Sequence, residues 1–397
     1  VKDLEHVGVT GTNGKTSTTR FVAAGLGALA RPVPSITTVG AFIDEEPCGT
    51  AMTRESMLDA LRTALERGAR YAALEVTSEV LARGFAQNWP FRAAVFTNLT
   101  HDHLDAHGSP EHYFASKAQL FYALPSDRGI AVVNGCDEAS ELLLEVTPAS
   151  VRKLGYGAAS RGDAKLPLDA RAENIEVTLA GTSADVAFSP ELGGGRVRLS
   201  TPAIGEIFLE NALAALTVSL ALGAPRDTAL ERIGAVPAPP GRFEVVAERP
   251  LVVIDYAHTP DALERTVATA RRIADGGKIT VVFGAGGHRD RNKRPAMGAA
   301  VARAHRAILT SDNPRDEDPG DIAAAIREGV PASVETLVEL DRERAIRRAV
   351  LDAAATDVVV IAGKGHERTQ TVGSVKREFS DHDVCLRVAT ERKGSVR

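Results

Sequence analysis

The run Gly11-Thr12-Asn13-Gly14-Lys15-Thr16-Ser17 follows the short apolar segment Val7-Gly8-Val9-Thr10 and precedes a helical stretch that reads to about Leu29. Small residues at such a strand-to-helix turn let backbone N–H groups converge on phosphate oxygens, and the helix start adds the positive end of its dipole. Lys15 can meet the β- and γ-phosphate charge and the Thr16 hydroxyl can ligate magnesium, so the segment predicts a triphosphate site for ATP. The spacing departs from the common GxxxxGK[ST] pattern, which would need glycine where this chain has Val9. An ordinary strand-to-helix turn is the alternative.

The elements around the loop read as α/β. Val7–Val9, Tyr71–Val76, Ala93–Thr97 and Gly129–Val133 are short, apolar and β-rich, and helical stretches such as Ser56–Arg67 and His112–Tyr122 separate them, the pattern of one doubly wound, mostly parallel sheet. From about Val151 to Ser200 short alternating runs with Gly and Pro suggest a small antiparallel sheet, followed by a helix over Glu210–Leu222. Val236-Pro237-Ala238-Pro239-Pro240-Gly241 reads as a linker, which divides the chain into 1–240 and 241–397. Beyond it the alternation restarts at Leu251–Tyr256, Lys278–Phe283, Arg306–Thr310 and Asp357–Ala362, as in a second α/β domain of nucleotide-binding type.

Composition narrows the function. The 397 residues are 44% hydrophobic and 25% charged, enough apolar material for two or three cores. With 47 Lys+Arg against 52 Asp+Glu, the formal charge of −5 leaves no broad basic field for nucleic acid. Three scattered cysteines, Cys48, Cys136 and Cys385, write neither a disulfide framework nor a metal knuckle, and suit a reducing compartment. No basic and apolar leader opens the chain and no apolar run approaches a membrane span, so the expected setting is the cytoplasm, with no membrane partner. Nothing in the pattern sets an oligomeric state.

Taken in order, TGTNGKT, Leu74-Glu75-Val76-Thr77-Ser78 and Thr97-Asn98-Leu99-Thr100-His101-Asp102-His103-Leu104-Asp105 resemble the Mur ligases, ATP-dependent amide-forming enzymes of peptidoglycan assembly. Gly241-Arg242-Phe243-Glu244, Asp255-Tyr256-Ala257-His258-Thr259-Pro260, Lys293-Arg294-Pro295, Asp312-Asn313-Pro314-Arg315 and Gly363-Lys364-Gly365-His366-Glu367 look like its UDP-N-acetylmuramoyl-tripeptide synthetase branch. The resemblance implies a P-loop-type ATPase domain followed by a Rossmann-like amino-acid-binding domain. It also implies activation of a substrate carboxylate by ATP, then attack by an amine to give an amide, ADP and phosphate.

By resemblance, Lys15 and Thr16 hold the phosphates and one magnesium, Glu75 ligates that ion, His103 ligates a second, and Lys117 becomes carbamylated to support it. A carboxylate and an imidazole at strand ends facing a phosphate loop suit that task. The ordinary alternatives are a surface acid at Glu75, a polar loop residue at His103 and a solvated helix lysine at Lys117. Asn211, Arg242, Asp255 and His258 fall on positions for base and ribose. Asp312-Asn313-Pro314-Arg315, with Arg289, Gly363 and Glu367, is the form that selects meso-diaminopimelate, whose distal carboxylate a guanidinium can grip in bidentate fashion. The alternative for Arg315 is a surface ion pair with Glu317 or Asp318.

Three departures bear on the acceptor and the base. The family's UDP-binding first domain has no counterpart ahead of Val7, which leads to the expectation that it is absent. Thr77-Ser78-Glu79 stands where relatives read Ser-Ser-His, placing an acid near an acidic acceptor, with Ser78 and Arg83 still available to contact it. Phe208 stands where the family has the first Asn of its base-recognition pattern, and His101 where relatives often have Arg. The leading reading is a ligase joining a diaminopimelate-like amine to a carboxylate acceptor. A stand-alone ligase with a non-UDP acceptor, in specialised metabolism or poly-amino-acid synthesis, and an inactive nucleotide-binding regulator are the others.

Overall fold

The computed structural model of the chain describes residues 3–49, 53–100, 108–288 and 290–395. Packing of the chain divides it at Pro237/Ala238 into two compact units, apart from short segments such as Val177–Leu179, and each is treated by itself.

In the first unit β1 (Glu5–Thr10) leads into α1 (Lys15–Leu26), and a three-strand meander follows, β2 (Pro34–Thr37), β3 (Gly40–Ile43) and β4 (Glu46–Gly49). Then come α2 (Arg54–Glu66), β5 (Tyr71–Glu75), α3 (Ser78–Ala82), β6 (Phe91–Phe96), α4 (Pro110–Tyr122), β7 (Ile130–Asn134), α5 (Ala139–Val146), β8 (Arg152–Ala158), β9 (Ala170–Thr178), β10 (Gly181–Phe188), β11 (Arg196–Thr201), α6 (Glu206–Ala221) and α7 (Arg226–Gly234). All the strands join one sheet, in the order β11-β10-β9-β8-β7-β6-β1-β5-β2-β3-β4. Its centre is parallel, with β1 paired to β5 on one side and β6 on the other. The stretch expected to be antiparallel continues the same hydrogen-bonded ladder: β8 adds in parallel to β7, and the antiparallel pairing enters with β10 and β11.

The sheet is covered on both faces, as its unbroken apolar strands require. Phe21, Val22 and Leu26 of α1 and Leu209, Leu213 and Leu216 of α6 form one core with Val7 and Val9, and Leu61, Leu120 and Phe121 form the other with Leu74 and Phe96. Helices α1 and α6 touch closely at Gly25, where a Cβ would stand 2.2 Å from Ser219 Oγ. α1 stops at Leu26 with Gly27 as its C-cap, a turn short of the expected Leu29. Residues 28–31 are held by turns instead.

The second unit holds β12 (Glu244–Glu248), β13 (Leu251–Asp255), α8 (Pro260–Ile273), β14 (Ile279–Phe283), α9 (Lys293–Ala299), β15 (Arg306–Leu309), α10 (Pro319–Arg327), β16 (Glu335–Val338), α11 (Arg342–Asp352), β17 (Val358–Ala362), a hairpin of β18 (Thr369–Val372) and β19 (Val375–Glu378), and α12 (Asp381–Ser395). The sheet order is β12-β13-β17-β14-β15-β16, parallel except for the edge strand β12. Strands β13 and β17 are buried throughout, and their carboxyl ends carry Asp255 and Gly363. Among the described residues no helix is long and apolar enough to cross a membrane.

Candidate active site

In the first unit the sheet order sets loop against loop. Because β6 lies beside β1, the turn after β1 is built on the segment after β6: Thr12 N donates to Asn98 O (2.8 Å), Asn13 N to Asn98 Oδ1 (2.9 Å), and Thr97 Oγ1 to Asn13 O (2.7 Å). Gly11 (φ 149°) and Gly14 (φ 83°) lie where a side chain is disfavoured. A Cβ on Gly11 would stand 1.9 Å from Thr97 Oγ1, and one on Gly14 2.5 Å from Oδ1 of Asn211, a buried residue of α6. The loop therefore keeps its shape by having no side chains at two places, and it leads straight into the start of α1, where Thr16 and Ser17 are buried and the first N–H groups have no partner within the helix.

The charged groups converge on this loop. Lys15 Nζ donates to Thr12 O at 2.7 Å. Glu75, at the end of the adjacent β5, accepts from Thr16 Oγ1 (2.9 Å), Thr38 N (3.0 Å) and Thr38 Oγ1 (3.2 Å), so it is not a solvated surface acid. Lys117, on α4, is 1% exposed, which overturns the solvated-lysine alternative. Its Nζ donates to Gly11 O (2.8 Å) and lies 4.1 Å from the Tyr113 ring centre, while the Tyr113 hydroxyl donates to Thr12 Oγ1 (3.2 Å). His103 lies outside the described residues. Ser78 is buried at the start of α3 behind its Thr77 cap, whereas Glu79 and Arg83 are exposed. Phe208 is buried near the start of α6.

These groups fit magnesium in the way a nucleotide site holds it. Among the described residues no three His, Cys, Asp or Glu side chains cluster tightly enough to enclose a cation. A hydroxyl and one carboxylate 2.9 Å apart at a phosphate loop are nonetheless the sparse donor set that magnesium takes when phosphates and water supply the remainder.

In the second unit Arg242, Asp255 and His258 gather around Tyr256. The Arg242 guanidinium lies 4.5 Å from the Tyr256 ring centre, and the rings of His258 and His366 are 4.6 and 5.2 Å from it. His258 Nδ1 is 2.9 Å from Tyr256 O, a carbonyl that can only accept, so the proton sits on Nδ1. The Asp255 carboxylate accepts from Phe243 N (2.6 Å), Ala257 N (2.7 Å) and Thr266 Oγ1 (3.3 Å), which holds Phe243 at φ 45°. Burial pushes the Asp255 carboxyl above its ordinary value despite Arg242 and these hydrogen bonds. Burial, reinforced by Arg242, pushes the His366 imidazole below its own.

The same unit brings together Asp312, Asn313, Arg315, Gly363 and Glu367. Asn313 Nδ2 donates to Glu367 Oε2 (3.0 Å), and a Cβ on Gly363 would stand 2.7 Å from Asp312 Oδ2. Arg315 is half-buried with φ 53°, and its Nη1 donates to Gly287 O (2.5 Å). It does not pair with Glu317, which accepts instead from His288 N (2.6 Å), Arg294 Nη2 (3.0 Å) and Arg291 Nη2 (3.1 Å). Arg289 lies outside the described residues.

Residue patterns alone passed over several partners. Lys364, fully buried, donates from Nζ to Glu367 Oε2 (2.9 Å) and Asn313 Oδ1 (3.3 Å). Its signal was a lysine three positions before a glutamate in a glycine-rich turn. Tyr113 had one as well, four residues before Lys117 on one helix face. Thr38 and Asn98 had none, because their roles depend on sheet order.

An α/β sheet carrying a glycine-shaped phosphate loop, with a lysine, a hydroxyl and a strand-end carboxylate about it, defines a nucleotide-using enzyme. Family comparison is specific: the Mur ligase middle domain matches residues 9–219 and the Mur ligase glutamate ligase domain residues 241–365, so the chain belongs to the Mur ligase family, ATP-dependent enzymes that form amide bonds. It is 40% identical to the UDP-N-acetylmuramoyl-L-alanyl-D-glutamate–2,6-diaminopimelate ligase of Synechococcus elongatus, over 99% of this chain and 78% of that protein. The counterpart named in the same way from Aquifex aeolicus is 38% identical, over 97% and 77%. A solved structure with that name is 33% identical with a TM-score of 0.66, covering 99% of this chain and 80% of that one. Mycobacterium tuberculosis folylpolyglutamate synthase, complexed with ADP and AMPPCP, shares the fold at TM-score 0.70 and 22% identity, over 91% and 89%.

Proposed function

We propose that this chain joins the amino group of meso-diaminopimelate to the D-glutamyl carboxylate of a UDP-N-acetylmuramoyl dipeptide. A carboxylate oxygen attacks the γ-phosphorus of ATP and ADP leaves; the amine nitrogen attacks the resulting acyl carbon, phosphate leaves, and the amine gives up its proton. The observation that carries the choice of amine is Arg315, a half-buried guanidinium whose hydrogen bonds go to backbone carbonyls, next to Asp312 and Glu367. That arrangement offers a fork for a distal carboxylate and acids for an ammonium group, which is what a zwitterionic diamino acid presents. The named activity of relatives matched along nearly the whole chain supports the same amine and a UDP-linked acceptor.

In this reading 1–240 holds the ATP phosphates, and 241–397 holds the amino acid and supplies further residues for the nucleoside. The loop of Gly11, Thr12, Asn13, Gly14, Lys15, Thr16 and Ser17, braced by the bonds of Thr12 N and Asn13 N to Asn98, cradles the phosphates at the start of α1, Lys15 leaves Thr12 O to meet the γ-phosphate, and Asn211, Arg242, Asp255 and His258 serve the nucleoside. Thr16 and Glu75 would hold one magnesium, with His103 and a carbamylated Lys117 serving a second. When bound, the metal supplies charge that offsets the repulsion between triphosphate and carboxylate. Ser78 and Arg83 face the acceptor, and Arg289, Asp312, Asn313, Arg315, Gly363 and Glu367 the amine. The test is ADP and phosphate release with magnesium-ATP and meso-diaminopimelate, comparing the UDP-linked dipeptide, the free dipeptide and L-lysine as amine. Turnover confined to the UDP acceptor and diaminopimelate is expected. Turnover with the free dipeptide refutes the acceptor, and equal use of lysine refutes the amine.

A further inference from the structure

In the β18–β19 hairpin β19 is exposed throughout and β18 is half-buried or exposed but for one residue, and that one buried residue is an amide, Gln370. A two-stranded hairpin is marginal alone, and a polar anchor buries favourably only if its hydrogen bonds are made. Those of Gln370 run into the loop that carries the proposed amine contacts: Nε2 donates to Asp312 O (2.8 Å) and Ser311 O (3.3 Å), while Oε1 accepts from Arg377 Nε (3.1 Å). The next residue continues the connection, since Thr371 N donates to Asn313 Oδ1 (2.9 Å).

The same hairpin grips the backbone of Arg315 from both sides. Arg315 N donates to Thr371 O (3.2 Å) and Gly373 N donates to Arg315 O (2.6 Å), forming an isolated parallel bridge to Val372. Arg315 is held at φ 53°, a conformation that a residue with a Cβ adopts only when its surroundings enforce it. That backbone setting fixes where the guanidinium starts, and the Nη1 bond to Gly287 O fixes where it ends. We infer that the β18–β19 hairpin, bolted down by Gln370, is a specificity brace that aims Arg315 at the distal carboxylate of the incoming amino acid. Gln370 is thus a positioning residue, and this inference rests on the reading of Arg315 given under Proposed function.

The experiment measures kcat/KM for meso-diaminopimelate and for L-lysine with the full chain, along with KM for ATP and the melting temperature. In Gln370→Leu the ratio of the two falls by at least about tenfold, the equivalent of one hydrogen bond's positioning, with KM for ATP unmoved. Arg315→Ala removes the preference, and adding Gln370→Leu to it changes the ratio no further. Should Gln370→Leu fail to fold, the exposed Arg377→Ala, which frees Gln370 Oε1, shifts the ratio in the same direction by less. A folded Gln370→Leu with an unchanged ratio, or with both amines slowed equally, overturns the brace. A wild-type chain with no preference for diaminopimelate overturns the underlying assignment of Arg315 instead.

Discussion

Replacing Gly11 by alanine puts the phosphate loop to a quantitative test. The new Cβ would stand 1.9 Å from Thr97 Oγ1, where ordinary contact begins at 3.4 Å, so one group must move by about 1.5 Å. Thr97 is buried and its hydroxyl holds Asn13 O at 2.7 Å; if it yields, that bond is lost at about 1 kcal/mol, and an alanine in a backbone conformation reserved for glycine costs about 1–2 kcal/mol more. A loss of about 2–3 kcal/mol in the first unit corresponds to a melting shift of roughly 4–12 °C. If the loop yields instead, its N–H groups leave their positions by more than 1 Å, which is enough to weaken ATP use about a hundredfold. Differential scanning fluorimetry with and without magnesium-ATP, plus steady-state ADP release, reads both effects. Thr97→Ala in the Gly11→Ala background removes the clashing oxygen and restores part of the ATP affinity, though Asn98 N and O, each 3.1 Å from the same Cβ position, keep the rescue incomplete. Gly11→Ala with both the melting temperature and the ATP affinity of the wild type, or a single variant that loses ATP affinity and a double variant that recovers none of it, refutes the argument that an empty Cβ position shapes this loop.

Two further outcomes follow from the geometry. Glu75→Gln keeps an acceptor for Thr16 and Thr38 but removes the charge, so the magnesium concentration for half-maximal turnover rises at least about tenfold, while the melting temperature moves by only a few degrees; a metal titration checks it. Because His366 is held below its ordinary pKa, the unfolded chain binds the proton more readily, and stability falls on acidification from about pH 6.5 down to the folded value. Urea midpoints measured across that range show the slope, and His366→Gln reduces it.

Much of the candidate site was legible in the residues because its code is local. A strand, a glycine turn and a Lys-Thr pair occupy ten residues, and backbone sterics with side-chain type suffice to predict a phosphate loop there. The alternation of buried runs and helical stretches likewise predicted the α/β class, since a parallel strand buried on both faces reads as a continuous apolar run. Among the four-residue strands β15 stands out as an apolar run with helical stretches on either side, whereas β2, β3, β4, β16, β18 and β19 are short and lie in stretches without that alternation, so periodicity does not mark them.

What only the tertiary structure decided are the partners of each charged group. Lys117 reaches Gly11 O across 106 positions, Asn13 meets Asn98 across 85, and Thr16 meets Glu75 across 59. Each pairing exists because β1 lies between β5 and β6, an order fixed by burying both sheet faces at once and written in no single segment. In the second unit Glu317 is claimed by Arg291 and Arg294, which leaves Arg315 to backbone carbonyls and to the hairpin. The sequence determined which chemical groups were available and which local turns would present them. Long-range packing chose which were paired with one another and which were left to backbone partners, because a charge buried or half-buried must find its partner wherever the fold brings one.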